Sequence, residues 1–206
     1  PAFVMRFLWP ILFVLGLILP ACGRDPFADV RNLQSRGENV LCFGDSLTEG
    51  VGAERGEDYP SLLARRLTQP VVNAGRRGDT SADGLARMVP DVLARNPRLV
   101  IVLFGGNDFL RQVPLDQTRK NLEEMVRRVQ ERGAMVVLAG LRLGLFTDEY
   151  GPLYEEVAKK HGVLFIADEV MTGGGRLGRL WAHQAADIRP DLVCAGKTLA
   201  GFLPTL

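Results

Sequence analysis

The pattern of apolar and polar residues along the chain is that of alternating strands and helices. From residue 39 onward, short apolar runs alternate with longer stretches in which apolar residues recur every three or four positions. This alternation is typical of βαβ units and predicts an α/β fold with a parallel sheet. The sequence predicts five strands, over residues 40–43, 71–73, 99–104, 135–139 and 163–167.

Apolar residues at helical spacing predict two amphipathic helices. The first set is Leu85, Met88, Val89, Val92 and Leu93, and the second is Leu115, Leu122, Met125, Val126 and Val129. Two further helices are predicted over residues 59–67 and 150–160. Pro90 should kink or shorten the first helix, because proline lacks the N–H that an interior helical position donates. After Asp168 the chain is rich in glycine, and we expect this C-terminal part to be irregular or incomplete.

Composition indicates one globular domain without a nucleic-acid partner. The 206 residues suffice for a domain with a core, and 25 basic against 24 acidic residues give a formal net charge of +1. No basic stripe is visible that would follow a phosphate backbone. The cysteines, Cys22, Cys42 and Cys194, are too few and too scattered for a disulfide framework. Cys42 and Cys194 lie in apolar runs, so we expect both in the core.

The N-terminal region predicts export. Met5 and Arg6 precede an apolar stretch over residues 7–19, which Pro10 interrupts. This stretch is shorter than the ~20 residues that a membrane-spanning helix needs, and it has the order of a secretory signal.

A cysteine follows this stretch at the place where a lipid anchor would be attached. Residues 19–22, Leu-Pro-Ala-Cys, resemble the lipobox of bacterial lipoproteins, although Pro20 is unusual there. The resemblance implies that Cys22 is lipidated after cleavage; plain secretion is the alternative. We expect residues 1–22 to be the signal and residues 23–38 a tether. The protein would then lie in the periplasm or cell envelope, with membrane contact through its N-terminal segment.

A serine directly follows the first predicted strand. Gly44-Asp45-Ser46-Leu47 comes after the apolar run 40–43, which places the Ser46 hydroxyl at the carboxyl edge of the sheet, where open α/β folds bind ligands. Ser46 is therefore the candidate nucleophile. A serine needs a base and hydrogen-bond donors for the developing negative charge. The alternative is that Ser46 caps the helix that follows.

Two more motifs follow predicted strands at the same edge. They are Asn-Ala-Gly-Arg-Arg-Gly-Asp-Thr at residues 73–80 and Gly-Gly-Asn-Asp at residues 105–108. Singly, each is a fair signal for a turn or a helix cap. Together with residues 44–47 they favour a catalytic site over three unrelated turns.

The order and spacing of these motifs resemble the SGNH (GDSL-type) hydrolases over about residues 39–165. The resemblance implies a flavodoxin-like three-layer αβα sandwich and an esterase, thioesterase or lysophospholipase-like activity. The substrate would be a small acyl ester or thioester, and no cofactor would be needed. Ser46 would be the nucleophile. Its own N–H, the N–H of Gly78 and the side-chain amide of Asn107 would form the oxyanion hole.

This chain lacks the motif that carries the catalytic base in that family. The family carries a late Asp-x-x-His, and this chain has only His161 and His183. His161 ends a predicted helix, where a solvated cation is expected. His183 has Leu180 where the motif needs aspartate. Loss of such a base lowers turnover on the order of 10⁴–10⁶-fold. We therefore expect strongly impaired hydrolysis unless His183 reaches Ser46.

The C-terminal segment, about residues 162–206, resembles a second family, the class III pyridoxal-phosphate-dependent aminotransferases. The similar stretches are residues 164–173 and 189–197. The resemblance implies that Asp168 pairs with the pyridinium nitrogen of the cofactor and that Lys197 forms the Schiff base. The alternative, which we favour, is that Asp168 is a strand-end carboxylate and Lys197 a solvated loop lysine.

The chain therefore has the pattern of a chimera. A hydrolase-like part over residues 39–165 would be followed by an aminotransferase-like fragment over residues 166–206. The phosphate-binding and substrate segments of an aminotransferase do not precede Asp168. An aminotransferase fragment that binds pyridoxal phosphate and a non-catalytic envelope protein are the two alternatives to an ester hydrolase.

Overall fold

Six parallel strands form a single sheet in the computed structural model, which describes residues 27–141, 150–169, 181–185, 187 and 189–194. The strands are Asn39–Gly44 (β1), Val71–Gly75 (β2), Pro97–Leu103 (β3), Met135–Leu141 (β4), Leu164–Asp168 (β5) and Leu192–Cys194 (β6). Their order across the sheet is β2-β1-β3-β4-β5-β6, and every neighbouring pair is parallel. The five predicted strands and the α/β fold are confirmed.

Helices connect the strands, as the amphipathic patterns predict. They are Ser46–Glu49 (α1), Tyr59–Ala64 (α2), Ser81–Asp91 (α3), Gly106–Leu110 (α4), Leu115–Glu131 (α5), Tyr150–His161 (α6) and Ala182–Ala185 (α7). Pro90 lies in the last turn of α3, and a short 3₁₀ turn, Leu93–Arg95, follows. The helix therefore ends one residue after the proline, as the prediction of a shortened helix allows.

Helices α3, α5 and α6 close one face of the sheet. Side chains alternate between the two faces of a strand, and those on this face form one buried core with the helices. The strand residues of this core include Leu41, Phe43, Val100, Val102, Val136, Leu138 and Phe165. On the other face Leu99, Ile101, Leu164 and Ile166 are only half-buried. The sheet is therefore packed more completely on one face than on the other.

Strand β6 extends the sheet beyond the five predicted strands. It pairs with β5 from Ile166–Leu192 to Asp168–Cys194. All three of its side chains are exposed, so the expectation that Cys194 lies in the core is wrong, because β6 is an edge strand. Cys42, in the interior strand β1, is fully buried as expected.

Residues 27–38 lie against the amino-terminal edge of the sheet. Asn32 Nδ2 donates to Gln130 O at 2.9 Å and to Ala134 O at 3.0 Å. The N–H of Arg31 donates to Gly162 O at 2.8 Å. This part of the expected tether is thus hydrogen-bonded to the domain.

Several expectations concern residues that the structure does not describe. The signal segment with Cys22 lies outside the described ranges, and so does Lys197. Within those ranges, no helix combines the length and the apolar character needed to cross a membrane.

Candidate active site

Ser46 lies where the strand order reverses. β1 has β2 on one side and β3 on the other, so the connections after β1 and β2 leave in opposite directions and open a crevice at the carboxyl end of β1. β1 ends at Gly44, and Ser46 is the first residue of α1. The residue is half-buried. The predicted nucleophile therefore lies at the edge where this kind of fold binds ligands.

Asp45, rather than Ser46, caps helix α1. Its Oδ1 accepts from the N–H of Leu47 at 3.0 Å, and the residue is only 2% exposed. The capping alternative for Ser46 is therefore wrong. Among the contacts of the described residues, the Ser46 hydroxyl has no hydrogen-bond partner and its N–H donates to no protein acceptor.

The end of β2 lies close to α1. A Cβ at Gly75 would lie 2.1 Å from Glu49 N, so only glycine allows this approach. Gly78 has φ of +80°, in the left-handed region that favours glycine. Thr80 caps α3, as the turn-and-cap alternative predicts. The N–H of Gly78 donates to no protein acceptor in the described part of the chain.

The side chain of Asn107 joins the three motifs. Its Nδ2 donates to Asp79 O at 2.9 Å and to Asp45 Oδ2 at 3.3 Å. Asp79 follows Gly78 in the chain, and Asp45 precedes Ser46. The three segments that the sequence singled out therefore meet at one amide group.

A buried polar cluster fixes the short helix that carries Asn107. Asp108 is fully buried and accepts from the N–H of Ser81 at 2.8 Å, from Ser81 Oγ, and from Thr118 Oγ1 at 3.2 Å. Asn121 Nδ2 donates to Ser81 Oγ at 2.9 Å. These bonds tie α4 to the first turn of α3 and to α5.

Sequence reasoning missed a buried arginine next to the site. Arg87 is 9% exposed, and its guanidinium donates to Asp79 Oδ2 and to Gly44 O. The only local signal is a charged residue beside Met88 in an amphipathic helix. Nothing in that pattern shows which strands the side chain reaches.

Burial also shifts the pKa of a carboxyl group in the site. Burial raises the pKa of the Asp45 carboxyl, and the hydrogen bond from Leu47 N opposes that shift. The negative charges of Asp108 and Asp79 raise the pKa of Asp45 further. A proton on Asp45 is thus easier to hold here than on an exposed aspartate.

Neither histidine is hydrogen-bonded to Ser46 in the described part of the chain. His161 Nε2 is buried, with no hydrogen-bond partner among the described residues, and burial lowers the pKa of this imidazole. Nε2 of His161 is thus buried rather than solvated as expected, and burial favours the neutral ring over the cation.

His183 is paired with a carboxylate that sequence reasoning did not single out. Its Nδ1 lies 2.6 Å from Glu169 Oε1, which also accepts from the N–H of His183 at 2.7 Å. Glu169 directly follows β5 and is 2% exposed. Such a pair holds an imidazole by one ring nitrogen and leaves Nε2 for other chemistry.

Asp168 ends β5 and lies on the same sheet edge as Ser46, three strands away. The structure does not describe Lys197, so it shows only one of the two groups that pyridoxal phosphate would need. No cluster of three or more His, Cys, Asp or Glu side chains in the described ranges could hold a metal ion.

Two clefts lie away from this edge. One, of about 480 Å³, is lined by residues that include Ser35, Pro97 and Gly133. The other, of about 430 Å³, includes Gly162 and Leu164. These residues lie at or before the starts of strands, so both clefts are at the edge opposite Ser46, and ligands of open α/β folds bind at the carboxyl edge.

Comparison with known proteins agrees with this geometry. The model of the GDSL-like lipase/acylhydrolase family matches residues 42–187. This match extends past residue 165, where the sequence predicts the end of the hydrolase-like part. The esterase TesA of Pseudomonas aeruginosa is 33% identical over 186 residues, covering 84% of this chain and 90% of that protein. The thioesterase 1/protease 1/lysophospholipase L1 of Escherichia coli K12 is 30% identical, covering 78% and 74%.

Solved structures show the same relationship. The crystal structure of TesA superimposes with a TM-score of 0.58 at 32% identity, over 62% of this chain and 76% of that one. AlinE4, an SGNH-hydrolase family esterase, gives a TM-score of 0.56 at 30% identity, over 75% and 82%.

Aminotransferases match over shorter stretches. The acetylornithine aminotransferase of Brucella melitensis is 42% identical over 65 residues, which are 32% of this chain and 16% of that protein. The chain therefore spans about a sixth of this relative.

Proposed function

Because the chain belongs to the GDSL-like lipase/acylhydrolase family, we propose that it hydrolyses carboxylic esters or thioesters with Ser46 as the nucleophile. The observation that carries this proposal is the amide of Asn107, which is hydrogen-bonded to the neighbours of both Ser46 and Gly78. No cofactor is needed, because the reaction uses only the serine, hydrogen-bond donors and water.

In the proposed reaction, Ser46 Oγ attacks the acyl carbon and the carbonyl oxygen becomes an oxyanion. The N–H groups of Ser46 and Gly78 are available to it, since neither donates to an acceptor in the described part of the protein. Asn107 Nδ2 is the third donor. Its 3.3 Å contact with Asp45 is longer than its 2.9 Å bond to Asp79 O, and the substrate oxygen would replace the longer contact. Such donors are the main source of rate in acyl transfer.

The alcohol or thiol then leaves with a proton, and water hydrolyses the acyl-serine. Before this, a base must take the proton of Ser46, and this proton transfer limits turnover. Of the two histidines, His183 lies at the carboxyl edge of the sheet, as Ser46 does. Its imidazole is hydrogen-bonded to Glu169 rather than to Ser46. We therefore propose that turnover is impaired on the order of 10⁴-fold or more, with the oxyanion hole supporting the remainder.

Ester hydrolysis by matched serine variants tests the proposal. The substrate is a short-chain p-nitrophenyl ester, and Ser46→Ala is compared with Ser61→Ala, whose hydroxyl is bonded to Asp58 outside the site. We expect wild type and Ser61→Ala to share a rate above background that Ser46→Ala lacks. An equal rate for wild type and Ser46→Ala, above background, would remove Ser46 as nucleophile. If none of the proteins exceeds background, the non-catalytic envelope protein becomes the better hypothesis.

Export and lipidation of Cys22 remain part of the proposed function. They rest on the signal-like residues 1–22 alone. Expression with the intact N-terminus, followed by fractionation and mass measurement, tests them. A mass of the mature wild-type protein without an added lipid on Cys22 would exclude the lipid anchor.

Pyridoxal phosphate binding is the second candidate function. The partial aminotransferase similarity and the position of Asp168 at the end of β5 favour it. Lys197 would supply the Schiff base. An absorbance band near the visible edge that stays with the protein after free cofactor is removed, and is lost in Lys197→Ala, would support it. No band, or one that persists in Lys197→Ala, would exclude Lys197 as the attachment site.

A further inference from the structure

One buried guanidinium contacts the chain near two parts of the proposed oxyanion hole, Ser46 and Gly78. Arg87 Nη2 donates to Gly44 O at 3.0 Å, and Nη1 donates to Ala74 O at 2.9 Å. Nε donates to Asp79 Oδ2 at 2.5 Å. The group thus holds the carboxyl ends of β1 and β2 together with the loop between β2 and α3.

The burial of this arginine requires an explanation beyond stability. Only 9% of the residue is exposed, and its guanidinium lies 4.7 Å from the centre of the Phe43 ring. Removing a charge from water is costly, and well-packed apolar residues often stabilise a core as much as a buried ion pair does. A guanidinium differs from an apolar side chain by its rigid, planar set of five N–H donors. Its distinct contribution here is fixed geometry.

The contacts of Arg87 lead to each proposed donor. Gly44 O is two residues before Ser46. Asp79 directly follows Gly78, and its carboxylate accepts a hydrogen bond from Arg87. The backbone carbonyl of Asp79 accepts a hydrogen bond from the side-chain amide of Asn107. Any shift of the guanidinium is therefore transmitted to the positions of the Ser46, Gly78 and Asn107 donors.

We propose that Arg87 is a positioning residue that sets the spacing of the three oxyanion donors. This inference rests on the proposed ester hydrolysis for its catalytic meaning. Arg87 does not touch the substrate and acts through Gly44 and Asp79. A displacement of about 1 Å in such a site can lower turnover about 100-fold without changing substrate binding.

Two carboxylates on Arg87 provide a matched pair of variants. Asp79 Oδ2 accepts Nε on the side of the site, and Asp91 Oδ2 accepts Nη1 at 3.0 Å on the far side. Asp79→Asn and Asp91→Asn each remove one negative charge from Arg87. Asp79 directly follows Gly78 and its carbonyl accepts from Asn107, whereas Asp91 also contacts the exposed side chain of Arg76 at 3.6 Å. Arg87→Lys keeps the positive charge and loses the planar set of donors.

Steady-state hydrolysis of a p-nitrophenyl ester gives the first readout, after subtraction of the Ser46→Ala rate. We expect Asp79→Asn and Arg87→Lys to lower kcat about 10- to 100-fold at unchanged KM, and Asp91→Asn to keep the wild-type kcat. Equal losses in Asp79→Asn and Asp91→Asn would mean that Arg87 only stabilises the fold.

The second readout does not depend on catalysis. The side-chain amide signal of Asn107 in a ¹⁵N NMR spectrum is identified by its loss in Asn107→Ala. We expect this signal to shift in Asp79→Asn and Arg87→Lys and to stay in place in Asp91→Asn. An unshifted signal in both of the first two folded variants would overturn the proposal. If Ser46→Ala is as active as wild type, the hydrolase mechanism fails, and this readout alone decides the role of Arg87.

Discussion

Truncation of Asp108 should cause a large loss of stability. In Asp108→Ala the N–H of Ser81 loses its acceptor at 2.8 Å and the Thr118 hydroxyl loses its acceptor at 3.2 Å. The Ser81 hydroxyl also loses an acceptor, although it still accepts from Asn121. Each buried group left without a partner costs about 1–3 kcal/mol. Since hydroxyls can rotate toward other acceptors, we expect a total of about 3–5 kcal/mol.

This loss is measurable because a domain is stable by only about 5–15 kcal/mol. With a urea dependence of about 2 kcal/mol per molar, the unfolding midpoint should fall by about 2 M. Urea unfolding followed by far-ultraviolet circular dichroism measures it. Asp108→Asn should fall between wild type and Asp108→Ala, because its amide oxygen can still accept from the N–H of Ser81.

Asp116→Ala is the control for the Asp108 series. Asp116 is an exposed carboxylate in the first turn of α5, paired with Lys120, and its removal should leave the midpoint in place. A midpoint for Asp108→Ala within about 0.5 M of wild type would refute the reasoning, since the buried donors would then have found other partners.

Three further outcomes follow from burial. Burial raises the pKa of Asp45, so its contribution to stability is present at low pH and is lost as the pH rises through the folded-state pKa. When the pH is lowered from 7 to 4, wild type should therefore gain stability relative to Asp45→Asn, as measured by urea unfolding. Burial lowers the pKa of His161, so its contribution to stability is present above the pKa of the unfolded state and is lost as the pH falls. When the pH is lowered from 7 to 5, His161→Leu should therefore lose less stability than wild type. Burial raises the pKa of the Cys42 thiol to about 12; peptide mapping after iodoacetamide treatment at pH 8 should find Cys42 modified only in unfolded protein, and rapid modification of the native protein would contradict this.

Most of the fold could be predicted from local pattern. The run from Val40 to Phe43 is apolar because both faces of β1 are buried, and an interior strand of a parallel sheet has this signature. β6 could not be predicted in the same way. Its three side chains are exposed, and backbone pairing with β5 holds it, which leaves no periodic signal in the sequence.

The site was predictable only in part. Glycines and short polar residues after strands identify the three motifs, because close approach and left-handed turns restrict residue type locally. The roles of Asp45 as cap and Arg87 as a link between strands depend on contacts that local spacing does not encode. Glu169 was missed for the same reason, because its partner His183 is 14 residues away.

The unequal burial of the strands implies an order in which the sheet opens. β6 has exposed side chains, whereas Leu41, Phe43, Val100 and Val102 in β1 and β3 are fully buried. Regions with little buried apolar surface exchange their amide hydrogens through local opening, and well-buried strands exchange only with global unfolding. We therefore expect native-state exchange to proceed inward from the β6 edge. The strand that leads to Ser46 should keep its amide hydrogens after β6 has separated, so the proposed site and the C-terminal edge would belong to different cooperative units.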